Sequence, residues 1–308
     1  MQYEIKIKSP ASTGGSISLE RLALLATSLQ SIAKGALQIR LGGMSNWRGR
    51  STLRLNNALE IRLRGIREGG TILDLECDSF KETLAGQQGD VFRPQILENL
   101  PALTPMALVI QSFHDALAED GQEEHLDKAL LHDLQNFKRV FLAPDETISF
   151  SNRGSLPALK LNKKVLNKIK TLEEQTPDPQ SVIVKGLVET LKYSNSKVTI
   201  QMEEGRVDAF LPDTIKPVTI GKHWGKELTI AGIANYRPSG RIAYIQIEKI
   251  FQPGKGDDYF SRKKSSESTE HQIKRQHSEQ QFQNNLGEII GQWPGEESFQ
   301  DLLKLLNA

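Results

Sequence analysis

The sequence contains a single cysteine, Cys77, among 308 residues, and this scarcity excludes an internal disulfide framework. It is typical of a protein from a reducing compartment, so we expect a cytoplasmic location. Cys77 ends a strand-like run, Thr71 to Cys77, and we interpret it as a small core residue rather than a nucleophile. The sequence has no uninterrupted apolar run of about 18 residues, so we expect no membrane span. Its start, MQYEIKIKSP, lacks the apolar core of a signal peptide.

The common catalytic signatures are also missing. There is no Walker A loop, no dinucleotide-binding G-x-G-x-x-G, no H-E-x-x-H and no nucleophile elbow. The glycines of Ser12 to Ser16 could hold a phosphate at a helix N-terminus, but the simpler interpretation is a connecting loop. We interpret His114, His125 and His132 as solvated residues of two helices, because they lack further ligands at metal-binding spacing. The sequence therefore predicts no cofactor, no metal and no enzyme, and an enzyme of unrecognised type is the least favoured alternative.

Charge is distributed unevenly along the chain, although the net charge is only +1. Residues 1–68 contain 11 Lys and Arg against 4 Asp and Glu, whereas residues 69–146 contain 5 against 15. Such asymmetry favours a nucleic acid or another oppositely charged partner, without establishing either.

The N-terminal part predicts a β-α-β-β unit. Tyr3 to Lys8 alternates apolar and charged residues and indicates a strand. Ser18 is a good cap for a helix that Gly42-Gly43 ends. Leu59 to Leu63 and Thr71 to Cys77 predict two further strands, joined by a hairpin turn at residues 67–70.

Helices and then a barrel follow. Thr104 can cap a helix with Pro105 at its first position, a second helix contains Leu126 to Phe141, and Leu161 to Leu172 predicts a basic amphipathic helix. Five short strand-like runs between residues 181 and 252 predict a small β-barrel of the OB or SH3-like type. The fold class is thus α+β: a domain of residues 1–176, a barrel of residues 181–252, a disordered or only partly ordered linker of residues 253–281 and a helical tail of residues 282–308.

Two basic groups are candidate nucleic-acid sites. The first combines guanidinium groups, which pair with phosphates, and an indole, which stacks on bases. Its members are Trp47, Arg48, Arg50, Arg54, Arg62, Arg64 and Arg67. The alternative interpretation is a solvent-facing strand edge guarded by charge. The second group lies in the barrel, where a structural role is equally open, and comprises Lys185, Lys192, Lys197, Arg206, Lys222, Lys226, Arg237 and Arg241 with Tyr193, His223, Trp224, Tyr236 and Tyr244.

The last 27 residues are strongly amphipathic and follow the polar linker. Apolar residues recur at helical spacing, are interrupted by Pro294-Gly295, and then recur at i, i+3, i+4 and i+7. They are Phe282, Leu286, Ile289, Ile290 and Trp293, then Phe299, Leu302, Leu303 and Leu306. Two short helices cannot bury these faces alone, so we expect them to dock on a partner or on the body of the same chain.

The sequence I-I-G-Q-W-P-G-E-E, residues 289–297, with the leucines after it resembles a C-terminal pattern of uncharacterised bacterial antitoxin-like proteins associated with PIN-domain toxins. The resemblance covers about 20 residues and implies a tail that wraps a Mg²⁺-dependent ribonuclease, with Trp293 as its main anchor. It predicts a non-enzymatic antitoxin of a bacterial defence system. The alternative is a nucleic-acid-binding protein that uses DNA or RNA as its partner. Both are compatible with an oligomer.

Overall fold

The computed structural model describes most of the chain before residue 263. The described residues are 1–9, 15–46, 53–67, 70–83, 100, 103–118, 123–152, 157–192, 196–203, 205–212, 215 and 220–262. The chain divides into two units, Met1–Ser268 and Thr269–Ala308, and every described residue lies in the first. The tail of residues 282–308 is therefore outside the described residues.

A five-stranded antiparallel sheet forms one layer of the first unit. Its strands are β1 (Gln2–Lys8), β2 (Arg62–Arg67), β3 (Thr71–Glu76), β4 (Thr147–Asn152) and β5 (Leu159–Leu161). Their order is β2-β3-β1-β4-β5, so β2 and β5 are the edges. Tyr3, Ile5 and Ile7 alternate with charged residues along β1 and are buried, which places one face of the sheet against the core.

Helices cover that face. They are α1 (Leu19–Gly42), α2 (Leu53–Ala58), α3 (Phe80–Thr83), α4 (Pro105–Leu117), α5 (Lys128–Asn136) and α6 (Lys163–Gln175), with 3-10 helices at Glu123–His125 and Phe137–Val140. The predicted caps are confirmed: Ser18 accepts a hydrogen bond from the Arg21 N–H, and Gly43 ends α1 in the left-handed conformation. Thr104 caps α4 through the Ala107 N–H.

α1 is long and apolar enough by length and composition to cross a membrane. Its apolar stripe is instead part of the protein core, where Leu25, Ile32 and Leu37 are almost completely buried. The core continues into an aromatic cluster in which the rings of Phe113 and Phe137 meet edge to face at 5.5 Å. α1 therefore has the burial expected of a central helix of a folded domain.

The second part of this unit is a closed five-stranded barrel. Its strands are β6 (Gln180–Lys192), β7 (Lys197–Met202), β8 (Gly205–Phe210), β9 (Glu227–Tyr236) and β10 (Ile242–Phe251). The order around the barrel is β10-β8-β7-β6-β9, with β8 and β10 parallel. This arrangement is consistent with an OB-like barrel. The α+β class and the barrel are confirmed, and the strands extend one to four residues beyond several of the predicted runs.

Three differences from the sequence-based prediction concern short or polar segments. β2 begins at Arg62 rather than at Leu59, because residues 53–58 form α2. β5 was not predicted, since three residues are too few to show an alternating pattern. Residues 253–262, the first part of the expected disordered linker, are ordered and contain a 3-10 helix, Asp257–Ser261.

Barrel closure depends on a glycine where β6 changes partner. Gln180 to Leu187 pairs with β9, and Leu187 to Lys192 pairs with β7, so β6 must bend between the two halves. Gly186 lies at this bend, and a Cβ built there would be 2.5 Å from both the carbonyl oxygen of Gln201 and a methyl group of Ile200. Only glycine allows this approach of the backbones.

We predict that Gly186→Ala lowers the free energy of unfolding by about 1–3 kcal/mol, because the added methyl group overpacks the bend. Thermal or urea denaturation measures this change. Gly65→Ala in β2 is the matched control, since a Cβ there meets nothing within 4 Å. Equal stability of the two variants would contradict the steric argument.

Candidate functional site: charged surfaces and the groove between the helices and the barrel

The three described arginines of the N-terminal cluster lie on β2 or at its ends, and each is paired with carboxylates. The pairs are Arg62 with Asp78 (2.8 Å) and Glu60 (3.1 Å), Arg64 with Glu76, and Arg67 with Asp74 (2.6 Å) and Glu4 (2.8 Å). Hydrogen bonds to Asp74 and Glu4 raise the pKa of Arg67 above its ordinary value. Most of the partners lie on or beside the neighbouring strands β3 and β1.

This pairing balances part of the uneven charge of the sequence. The basic β2 belongs to the N-terminal block and the acidic β3 to the next one, so some charges of the two blocks meet across one hairpin. β2 is also an edge strand, and charged side chains on such an edge discourage pairing with other chains. A phosphate would have to displace a carboxylate to reach these arginines.

Several predicted site residues cannot be placed. Trp47, Arg48 and Arg50 lie outside the described residues, as does the side chain of Arg54. The predicted docking residues of the tail also lie outside them: Phe282, Leu286, Ile289, Ile290, Trp293, Phe299, Leu302, Leu303 and Leu306.

We predict that replacing Arg62 and Arg64 together with Ala does not change the salt dependence of binding to single-stranded nucleic acid, because both arginines already have carboxylate partners. The slope of log affinity against log salt is measured by fluorescence anisotropy. Each lost phosphate contact lowers this slope by about 0.7 for a single strand. A drop of that size per arginine would show that the arginines contact phosphate.

One face of the barrel is turned towards the α+β layer. Phe210 of β8 and Tyr244 of β10 meet edge to face at 5.7 Å and form a buried cluster with Ala243 and with Met44, which follows α1. In barrels of the OB type, the second and third strands often form the ligand-binding face. Here the end of the third strand is buried against the protein itself.

The basic residues beside this cluster are satisfied within the chain. Lys197 of β7 is almost buried and forms an ion pair with Asp208 at 2.7 Å, and Thr199 donates a hydrogen bond to the same carboxylate. Arg237 donates a hydrogen bond to the carbonyl oxygen of Leu126, and burial lowers its pKa below the ordinary value. Lys197 therefore joins two strands of the barrel and Arg237 joins the barrel to Leu126, so both cations are poorly available to a phosphate backbone.

A buried aspartate completes the contact between the layers. Asp127 caps α5 by accepting a hydrogen bond from the Leu130 N–H at 2.9 Å. It also accepts hydrogen bonds from the backbone N–H and the hydroxyl group of Ser45, which follows α1. We name the contacts of Met44, Ser45, Leu126, Asp127 and Arg237 the helix–barrel junction. Because they join segments about 80 to 110 residues apart, sequence periodicity gives no signal for them.

Next to the junction is a groove of about 670 Å³ between α1, α5, α6 and strands β9 and β10. Most of its charged groups already have partners. His132 and Glu173 form a pair at 2.9 Å, and Ser31 donates a hydrogen bond to Asp133, whose pKa is raised by burial. The side-chain nitrogen of Asn235 has no hydrogen-bond partner in the described part of the chain.

The described lining of the groove does not form a recognisable catalytic arrangement. In the described ranges, no group of three or more His, Cys, Asp or Glu residues could hold a metal ion. Asp127 caps α5, Glu173 pairs with His132, and Asp133 accepts the hydrogen bond from Ser31, so each of these carboxylates has a partner within the protein. We therefore interpret the groove as a polar seam between the helices and the barrel.

Two other buried side chains that could take part in chemistry, Cys77 and Arg21, have surroundings that indicate structural roles. Burial raises the pKa of Cys77 to about 11, so its thiol is protonated at neutral pH and a poor nucleophile. The buried Arg21 pairs with Glu146 at 2.6 Å and donates a second hydrogen bond to the carbonyl oxygen of Val140. This pair ties the start of α1 to the loop before β4.

The ordered segment of residues 253–262, which we name the C-terminal latch, crosses the outer surface of the barrel. Lys185 of β6 lies between Asp258 (2.5 Å) and Glu227 (3.0 Å). Asp257 accepts hydrogen bonds from the Thr229 hydroxyl group and the Gly254 N–H. Composition alone indicates disorder here, because the ordering partners lie more than 25 residues away in the sequence.

The contribution of the latch contacts to stability depends on pH through two groups, Asp257 and Lys185. The hydrogen bonds from Gly254 and Thr229 hold the pKa of Asp257 below 3.8, so its contribution is complete above pH 3.8 and is lost as the pH falls through its lower folded pKa. The carboxylates of Asp258 and Glu227 raise the pKa of Lys185 above 10.5. Its contribution is therefore complete below pH 10.5 and is lost as the pH rises through its higher folded pKa.

We predict that the Gly254 amide proton, observed by NMR, titrates with a midpoint below pH 3.8 and that Asp257→Asn abolishes this titration.

We also predict that Lys185→Met speeds trypsin cleavage after Lys255, because the latch loses its central cation. Lys249→Met, which removes an exposed lysine of β10, is the control. A midpoint above 3.8, or unchanged cleavage in Lys185→Met, would contradict the described anchoring.

The chain matches no protein-family model, no curated protein and no solved structure. Its function must therefore be inferred from its own sequence and structure.

Proposed function

We propose that the protein is a non-enzymatic antitoxin that binds and inhibits a PIN-type ribonuclease toxin through residues 282–308. The observation that carries this proposal is the amphipathic W-P-G-E sequence around Trp293, which follows a polar segment and precedes a leucine-rich stretch. The proposal places the protein in the cytoplasm, where RNA is accessible to the toxin.

The described body supports an interaction role more than a catalytic one. The side chains that form its two main cores lie between Tyr3 and Ile247. The charged groups of its groove and of β2 are largely occupied by contacts within the chain.

In the proposed complex, Trp293 is the main anchor, because buried tryptophans often dominate interface energetics. Phe299, Leu302, Leu303 and Leu306 line a second helix in a hydrophobic groove of the toxin. Burying four such side chains contributes about 6–10 kcal/mol gross, at about 1.5–3 kcal/mol each. Ordering the tail offsets a few kcal/mol of this amount. The acidic Glu296 and Glu297 suit the first turn of that helix.

Binding of nucleic acid through the N-terminal arginines or the barrel is the alternative proposal. The OB-like arrangement of the barrel favours it. The paired state of Arg62, Arg64 and Arg67 weighs against β2, and the buried surface around Phe210 weighs against that face of the barrel. We therefore rank it below the antitoxin proposal.

The antitoxin proposal predicts that the full chain inhibits Mg²⁺-dependent RNA cleavage by a purified PIN-domain ribonuclease from the same genome. Trp293→Ala should raise the Kd for the toxin about 30-fold or more, as expected for a hot-spot residue. Leu303→Ala should weaken binding less, since it removes a smaller side chain. Calorimetry and an RNA cleavage assay measure the two effects.

Leu142→Ala is the matched control for Leu303→Ala, because Leu142 is an exposed leucine of the described body. It should bind and inhibit like the unmodified protein. The proposal fails if the full chain binds no PIN-domain ribonuclease of its genome. It also fails if Trp293→Ala binds as tightly as the unmodified chain.

A further inference from the structure

A short segment that leads into β9 presents an exposed indole on the barrel. Residues 220–226 read I-G-K-H-W-G-K, and Trp224 is 67% exposed, the highest exposure of any described tryptophan or phenylalanine. Ile220, four residues earlier, is buried in the barrel core. Exposure of a single apolar side chain needs no explanation by itself, so the fixed position of the indole and the charge around it decide its role.

The indole is held in a fixed position. Its Nε1–H donates a hydrogen bond to the carbonyl oxygen of Glu189 at 3.0 Å. The backbone is attached to β6 as well, since Gly225 donates to Val188 and Val188 donates to Lys226, each at 3.0 Å. Because the position is fixed, a flat group that stacks on the indole would meet a largely preorganised surface.

The charge around the indole is positive and uncompensated. Lys222 and Lys226 flank Trp224 and are exposed, and neither has an ion-pair partner in the described part of the chain. The acidic groups nearby are occupied, as Glu189 pairs with Arg206 at 2.5 Å and Glu227 pairs with Lys185 at 3.0 Å. This segment thus differs from β2, whose arginines are neutralised.

We propose that Lys222, Trp224 and Lys226 form a binding site for single-stranded nucleic acid. An unpaired base stacks on the face of the Trp224 indole, and the two lysines contact the adjacent phosphates. A protein partner fits less well, because lysine is depleted in protein–protein interfaces, whereas phosphates require cations. The inference is independent of the tail and of the proposed toxin complex.

The test uses the full chain and fluorescein-labelled oligouridylate and oligothymidylate of about 12 nucleotides, followed by anisotropy at several salt concentrations. Trp224→Leu should weaken binding about 5- to 100-fold, because leucine has no π face. Trp224→Phe should bind within about threefold of the unmodified chain, because it retains stacking while losing the hydrogen bond to Glu189. The two oligomers show whether RNA or DNA is preferred.

Lys222→Gln and Lys226→Gln should each reduce the salt slope by about 0.7, as expected for one lost phosphate contact on a single strand. Lys164→Gln and Lys168→Gln, which remove exposed lysines of α6, are the matched controls and should leave the slope unchanged. If Trp224→Leu unfolds in thermal melts, the two lysine variants and Trp224→Phe decide the outcome.

The proposal is overturned if neither oligomer binds at low salt, which would leave the exposed indole to a protein contact. It is also overturned if folded Trp224→Leu binds like the unmodified chain, or if the lysine variants keep the full salt slope. A failure here leaves the tail-mediated proposal unaffected, because that one is measured with the toxin and with variants of Trp293 and Leu303.

Discussion

The helix–barrel junction is the contact on which the arrangement of the described body depends. Asp127 joins the start of α5 to Ser45 after α1, and the adjacent Leu126 accepts the hydrogen bond from Arg237 of the barrel. Three distant segments therefore meet around one carboxylate and one carbonyl group. Because buried polar groups are costly when they lose a partner, this arrangement is strongly specified. It also determines which surface of the barrel is covered and which remains exposed.

Charge pairing within the chain also limits which cations are available to bind a partner. The arginines of β2, and Lys185 and Lys197 of the barrel, each have a carboxylate partner in the chain. The segment around Trp224 instead combines two exposed lysines with an exposed aromatic ring. We therefore propose two different interaction elements, a small cationic aromatic site on the barrel and the apolar tail sequence.

Patterns within a few residues predict most of the helices and strands, whereas contacts between distant segments leave no pattern in the sequence. Ser18, Gly43 and Thr104 marked helix ends correctly, because caps depend on residues within one turn. Alternation revealed the barrel strands for the same reason. The latch was interpreted as disordered, since its ordering depends on Lys185 and Thr229 of distant strands. For the arginines of β2, a ligand site and a charged strand edge both stayed open, because sequence spacing does not reveal carboxylates on the neighbouring strand.

The central claim is that the tail sequence alone contains the determinants of toxin binding. Its most direct test is calorimetric titration of a synthetic peptide of residues 282–308 into the purified PIN-domain ribonuclease, in competition with the full chain. The account predicts that the peptide binds one to one, displaces the full chain and inhibits RNA cleavage. If the full chain binds the ribonuclease and the peptide neither binds nor competes, the docking surface lies in the body and the account is contradicted.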